Sequence, residues 1–93
     1  MAVETREFTL VNKYGMHVRP AGLFAKTASR YDADIQVEKD GSSVSGKSIM
    51  ALMTLEALCG TKLRVTAEGP EAKEALDDLE ALVARKFDIP DEQ

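Results

Sequence analysis

The sequence predicts an α+β open-faced sandwich, a four-stranded antiparallel sheet with three helices on one face, in the order β-α-β-β-α-β-α. Three observations carry this. Short segments alternate apolar and polar residues, the signature of half-buried strands. Other segments repeat their apolar residues at helical spacing. Each strand is apolar on one side only, so one face of the sheet takes the helices and the other meets water. The chain of 93 residues, 44% apolar and 30% charged, has the composition of an ordinary globular domain with a small core.

Residues 5–11 (TREFTLV) set Phe8 and Leu10 against Glu7 and Thr9 and read as the first strand. Residues 12–15 carry loop chemistry. From Pro20 the period changes. Ala21, Phe24, Ala25 and Ala28 mark one face of a helix ending near Arg30, with Pro20 in the first turn, where its missing N–H is not needed. Ala33, Ile35 and Val37 then alternate with Asp34, Gln36 and Glu38 as a second strand. Asp40-Gly41 signals a tight hairpin into a short third strand at residues 43–45. Ser48 is placed to cap a second helix that Gly60 closes. Leu63, Val65 and Ala67 alternate with Lys62, Arg64 and Thr66 as the fourth strand. After Gly69-Pro70 comes the longest helix, with Ala72, Ala75, Leu76, Leu79, Leu82 and Val83 on its apolar face, acids in its first turn and Arg85-Lys86 in its last. Residues 1–93 read as one domain, with residues 88–93 (DIPDEQ) as a frayed, flexible tail.

Charge is unevenly spread. Residues 68–93 hold nine acids against three bases, whereas residues 1–67 carry nine bases and seven acids. The N-terminal two thirds therefore suit a phosphate or an acidic partner better than the net charge of -4 suggests. One cysteine, Cys59, excludes an internal disulfide and is expected to be a small buried side chain. One Cys and one His are too few soft ligands for a dedicated metal site. With no signal peptide and no long apolar run, the chain reads as a soluble, cytoplasmic protein without membrane insertion. It lacks a glycine-rich nucleotide loop, and no bound cofactor is expected. Low aromatic content and an acidic total argue against a nucleic-acid-binding domain.

The only histidine lies in residues 15–22, GMHVRPAG, at the junction between loop and helix. First-turn N–H groups there face outward toward an anion. The positive end of the helix dipole favours the neutral, nucleophilic imidazole. Arg19 adds a fixed charge whose planar fork matches phosphate oxygens. These features suit a ring that accepts a phosphoryl group and later gives it away. A lone histidine is nevertheless more often a surface or capping residue, and spacing alone leaves that alternative open.

The Gly-x-His-x-Arg-Pro-Ala run at residues 15–21, with GKSIM at 46–50, resembles the HPr family, the histidine-containing phosphocarriers of the phosphoenolpyruvate-dependent phosphotransferase system. The resemblance extends over nearly the whole chain, including the strand and turn from Ala33 to Gly41 and the punctuation by Gly60 and Gly69. It implies that His17 forms a phosphohistidine on Nδ1, that Arg19 steadies the phosphate, and that the carrier works between Enzyme I and IIA domains as a monomer without turnover of its own. It also implies a regulatory site at Ser48 for an ATP-dependent HPr kinase/phosphorylase, although helix capping explains that serine by itself.

Residues 49–58 hold only two polar residues, Thr54 and Glu56, more apolar surface than a helix lying on a sheet requires. Ile49, Leu52 and Leu55 serve the core in this reading. Met50 and Met53 fall partly off that stripe and suit a docking face, since methionine adapts to several partner shapes. In HPr-like proteins this helix flanks the histidine, which adds Val18, Gly22 and Leu23 to the expected docking surface. Val18, Gly22, Ala51 and Tyr14 depart from the family's commonest choices and bear on partner preference. The GKSIM run is similar to the nitrogen-branch regulatory carriers, so sugar uptake is not implied. A regulatory module acting only through Ser48 is the competing reading, and the retained His17 argues against it.

Overall fold

The structure is a computed structural model that describes residues 2–90. Its elements are β1 (Val3–Thr9), α1 (Val18–Ala28), β2 (Asp34–Lys39), β3 (Ser42–Ser45), α2 (Ile49–Met53), β4 (Lys62–Glu68) and α3 (Ala72–Ala84), followed by a single turn at Lys86–Asp88. The four strands form one sheet in the order β1-β4-β2-β3, and every pairing is antiparallel. The alternation in the sequence sets the faces. Phe8, Ile35, Val37, Leu63, Val65 and Ala67 point into the core, while Thr5 and Thr66 hydrogen-bond on the other face at 3.1 Å. Lys39 pairs with Ser42, and Asp40 and Gly41 between them both have positive φ, the geometry of a two-residue primed turn.

The long helices follow their apolar periods. Ala21, Phe24, Ala25 and Ala28 of α1 are buried, as are all six residues of the α3 stripe. Their burial against the sheet makes one hydrophobic cluster. Arg6, near the middle of β1, reaches Asp77 of α3 at 2.7 Å and Glu80 at 3.1 Å. Its hydrogen bond to Asp77 raises the guanidinium's pKa and holds the Asp77 carboxyl below the ordinary carboxylate range. From the loop after α1, the Tyr31 hydroxyl donates to Asp78 at 2.6 Å, which pushes the phenol's pKa up.

Several expectations are corrected. The second helix is only Ile49–Met53 and does not run on to Gly60. The backbone turns at Glu56, whose φ is +50°, and the Lys39 ammonium binds the carbonyls of Leu55 and Glu56 at 3.0 and 3.3 Å. Cys59 consequently lies in a loop and is exposed. Ile49 is 43% exposed rather than a core residue, while Leu52 and Leu55 are buried. Helix α3 stops at Ala84, so Arg85 and Lys86 lie beyond its last turn, and Arg85 pairs with Asp88 at 3.0 Å. Buried apolar residues stand at the edge of the expected tail. Phe87 and Ile89 are buried, and each side chain gains about 1.5–3 kcal/mol by leaving water. That offsets the cost of holding Lys86, Phe87 and Asp88 at positive φ. Residues 91–93 of that stretch lie outside the described residues.

Candidate functional site

The loop before α1 is fixed by the sheet-side chain and by the segment after α2. Asn12 is buried, and its side-chain amide donates to the Gly15 carbonyl at 2.8 Å. Met16 is buried, and its N–H donates to Ala57 O at 2.8 Å. Gly15 lies between these anchors at φ +67°, with the backbone of Ala57 and Leu58 directly against it. A Cβ there would stand 2.2 Å from Ala57 O, so only glycine admits this approach.

His17 follows as the N-cap of α1, with extended backbone angles, and its ring is partly exposed. Its carbonyl accepts the first intrahelical bond, from Ala21 N at 2.9 Å. Helix geometry then turns the N–H groups of Val18 and Arg19 outward beside the imidazole. Pro20 is the third helical residue and buried, as its place in the first turn requires. Arg19 is exposed and makes no ion pair among the described residues. The His17 ring stands at 84° to that of Tyr14, with 6.0 Å between centroids. On the Tyr14 ring lies the Lys13 ammonium, 5.2 Å from the centroid.

Helix α2 packs beside α1. A Cβ on Gly22 would meet the Ile49 δ-methyl at 3.9 Å, an ordinary contact, so the spacing of the two helices does not require glycine here. Ser48 is the N-cap of α2 and its hydroxyl accepts from Ala51 N at 3.2 Å. Val18, Met50 and Met53 are exposed, with Met50 at 80%. Gly22 and Leu23 are half-buried, Leu23 being packed against the core. Tyr14, expected on this face, is exposed, as are Ile49, which the sequence assigns to the core, and Leu58, which it assigns to no surface. Open clefts of about 200 Å³ beside Phe8 and Val83 and about 350 Å³ beside Arg6 and Arg64 lie elsewhere and include neither His17 nor Ser48. Among the described residues no group of three or more His, Cys, Asp or Glu side chains could hold a metal ion.

Residues 4–85 match the family model described as the PTS HPr component phosphorylation site. The chain belongs to the HPr phosphocarrier family. It is 44% identical over 78 residues to phosphocarrier protein HPr of Vibrio cholerae, an alignment covering 84% of this chain and 92% of that one. The crystal structure of HPr from Thermoanaerobacter tengcongensis superposes with a TM-score of 0.85 at 42% identity, covering 96% of this chain and 98% of the other. HPr's open-faced sandwich is thus this chain's fold. Crh from Bacillus subtilis, solved as a dimer with a swapping domain, is 43% identical, with a TM-score of 0.72 and coverage of 80% of this chain and 85% of that one.

Proposed function

We propose that this HPr-family chain carries a phosphoryl group on His17 between phospho-Enzyme I and IIA domains. The observation that supports this most is the placement of a partly exposed imidazole at the head of α1, beside first-turn amides and the exposed Arg19. In the transfer, Nδ1 attacks phosphorus as the bond to the donor breaks. The negative charge spread over the three equatorial oxygens is met by the Val18 and Arg19 amides and by the guanidinium fork. The reverse geometry hands the group to a histidine of a IIA domain. Val18, Met50 and Met53, with lesser parts for Gly22 and Leu23, form the docking face around the reacting nitrogen. No substrate pocket is needed at His17, because the phosphoryl group arrives on a protein.

Ser48 is the regulatory position in this reading, modified by an HPr kinase/phosphorylase. A phosphoserine adds roughly -1.5 to -2 charges at the start of α2, and this repels an incoming phosphorylated partner. The carrier acts as a cytoplasmic monomer; no described helix is long and apolar enough to cross a membrane. The test is incubation with phosphoenolpyruvate and Enzyme I, followed by a purified IIA domain. The reading expects an acid-labile, base-stable phosphate that chases onto the IIA domain and is absent from His17→Ala. Equal labelling of His17→Ala contradicts it.

A further inference from the structure

Tyr14 is a large aromatic residue, 56% exposed, on a loop whose other members are tightly fixed. Its neighbours Gly15 and Met16 are held by the close approach to Ala57 and by the Met16–Ala57 hydrogen bond. The left-handed turn at Gly15 brings the side chains of Tyr14 and His17 together, with ring centroids 6.0 Å apart and ring planes at 84°. Such an edge-to-face pair is attractive because the positive edge of one ring meets the negative face of the other. The Lys13 ammonium, 5.2 Å from the Tyr14 centroid, engages the same ring.

From this geometry we infer that Tyr14 is a positioning residue, holding the His17 imidazole in one side-chain rotamer so that its acceptor nitrogen faces the incoming phosphorus. The inference rests on the phosphoryl-acceptor reading of His17 and adds a residue to it. An imidazole turns about two side-chain bonds, and a ring free to sample other rotamers spends less time aligned for in-line attack. A neighbour that narrows those rotamers raises the rate at saturation without raising affinity for the partner. An exposed tyrosine that merely touched the partner would instead alter KM.

The test uses the full chain with Tyr14→Ala, Tyr14→Leu and Tyr14→Phe. Phosphoramidate serves as a small donor: its P–N bond breaks, ammonia leaves, and the new P–N bond forms on the imidazole. Tyr14→Ala and Tyr14→Leu are expected to slow this phosphorylation about two- to tenfold, the span of an aromatic pair, whereas Tyr14→Phe keeps the wild-type rate. With phospho-Enzyme I the same loss is expected in kcat and not in KM. The His17 ring-proton resonances are expected to shift in the Ala and Leu variants and to stay in place in Phe, with amide resonances outside the loop unchanged. Wild-type rates and ring resonances in Tyr14→Ala, full rescue by Leu, or a loss confined to KM would overturn the inference. If wild type takes phosphate from phosphoramidate but none from phospho-Enzyme I, the carrier reading fails while the comparison of Tyr14 variants still stands. The ring resonances test the positioning role with no donor present.

Discussion

A single methyl carbon added at Gly15 would stand 2.2 Å from Ala57 O, on a backbone already at φ +67°. The loop that presents His17 therefore depends on a residue with no side chain. Gly15→Ala is expected to lower stability by about 2–4 kcal/mol, the sum of left-handed strain and overpacking, measured by denaturant unfolding, and to slow phosphoryl acceptance because the loop must retreat from Ala57. Arg19 gives the opposite profile. It is exposed and unpaired with any described carboxylate. Arg19→Ala is expected to slow acceptance by about 10- to 100-fold, the weight of a charge-assisted hydrogen bond, with a melting temperature close to wild type. A wild-type transfer rate in Arg19→Ala contradicts that role. At this scale the placement of His17, Arg19 and Pro20 at the head of α1 was legible because the signals lie in adjacent residues. The Tyr14–His17 pair and the fit of Gly15 against Ala57 were not, because they depend on where the chain returns more than 40 residues later.

Helices α1 and α3, of 11 and 13 residues, were legible from their apolar stripes because each is long enough to display a period. Helix α2, at five residues, is not. Its apolar run promised a longer helix, but the helix ends at Met53, and just beyond it the Lys39 ammonium, from the far end of β2, binds the Leu55 and Glu56 carbonyls. Its start was readable, since the Ser48 cap is local: the hydroxyl accepts from Ala51 N. Ser48→Ala is expected to cost about 1 kcal/mol in unfolding measurements. Ser48→Asp keeps a capping oxygen and most of that stability, yet it is expected to slow transfer from phospho-Enzyme I by adding negative charge beside the docking face we propose. Unchanged transfer in Ser48→Asp would remove the regulatory role proposed for this position.

Across the whole molecule, the acidic C-terminal helix is tied to the sheet by Arg6, which joins β1 to Asp77 and Glu80. Part of the charge asymmetry of the sequence is thus structural. Because pairing with Arg6 and Lys73 depresses the Asp77 pKa in the folded state, Asp77 stabilises the fold above its unfolded pKa, and that contribution fades as pH falls through the folded value. Asp77→Asn is expected to be less stable than wild type at neutral pH, with the difference shrinking below about pH 4; a pH-independent difference would contradict this. The fold class and the order of elements along the chain followed from alternation and turns, which are local, whereas the sheet order β1-β4-β2-β3 depends on pairing between distant segments. The burial of Phe87 and Ile89 was missed because their short polar surroundings carry no period, and only the closed core shows what they plug. The central claim concerns His17, and mass mapping of the phosphate after brief exposure to phosphoenolpyruvate and Enzyme I tests it most directly. The account predicts one acid-labile phosphate on the peptide containing His17, lost in His17→Ala with the fold intact. Phosphate on any other residue, or none on a folded wild-type chain, would contradict it.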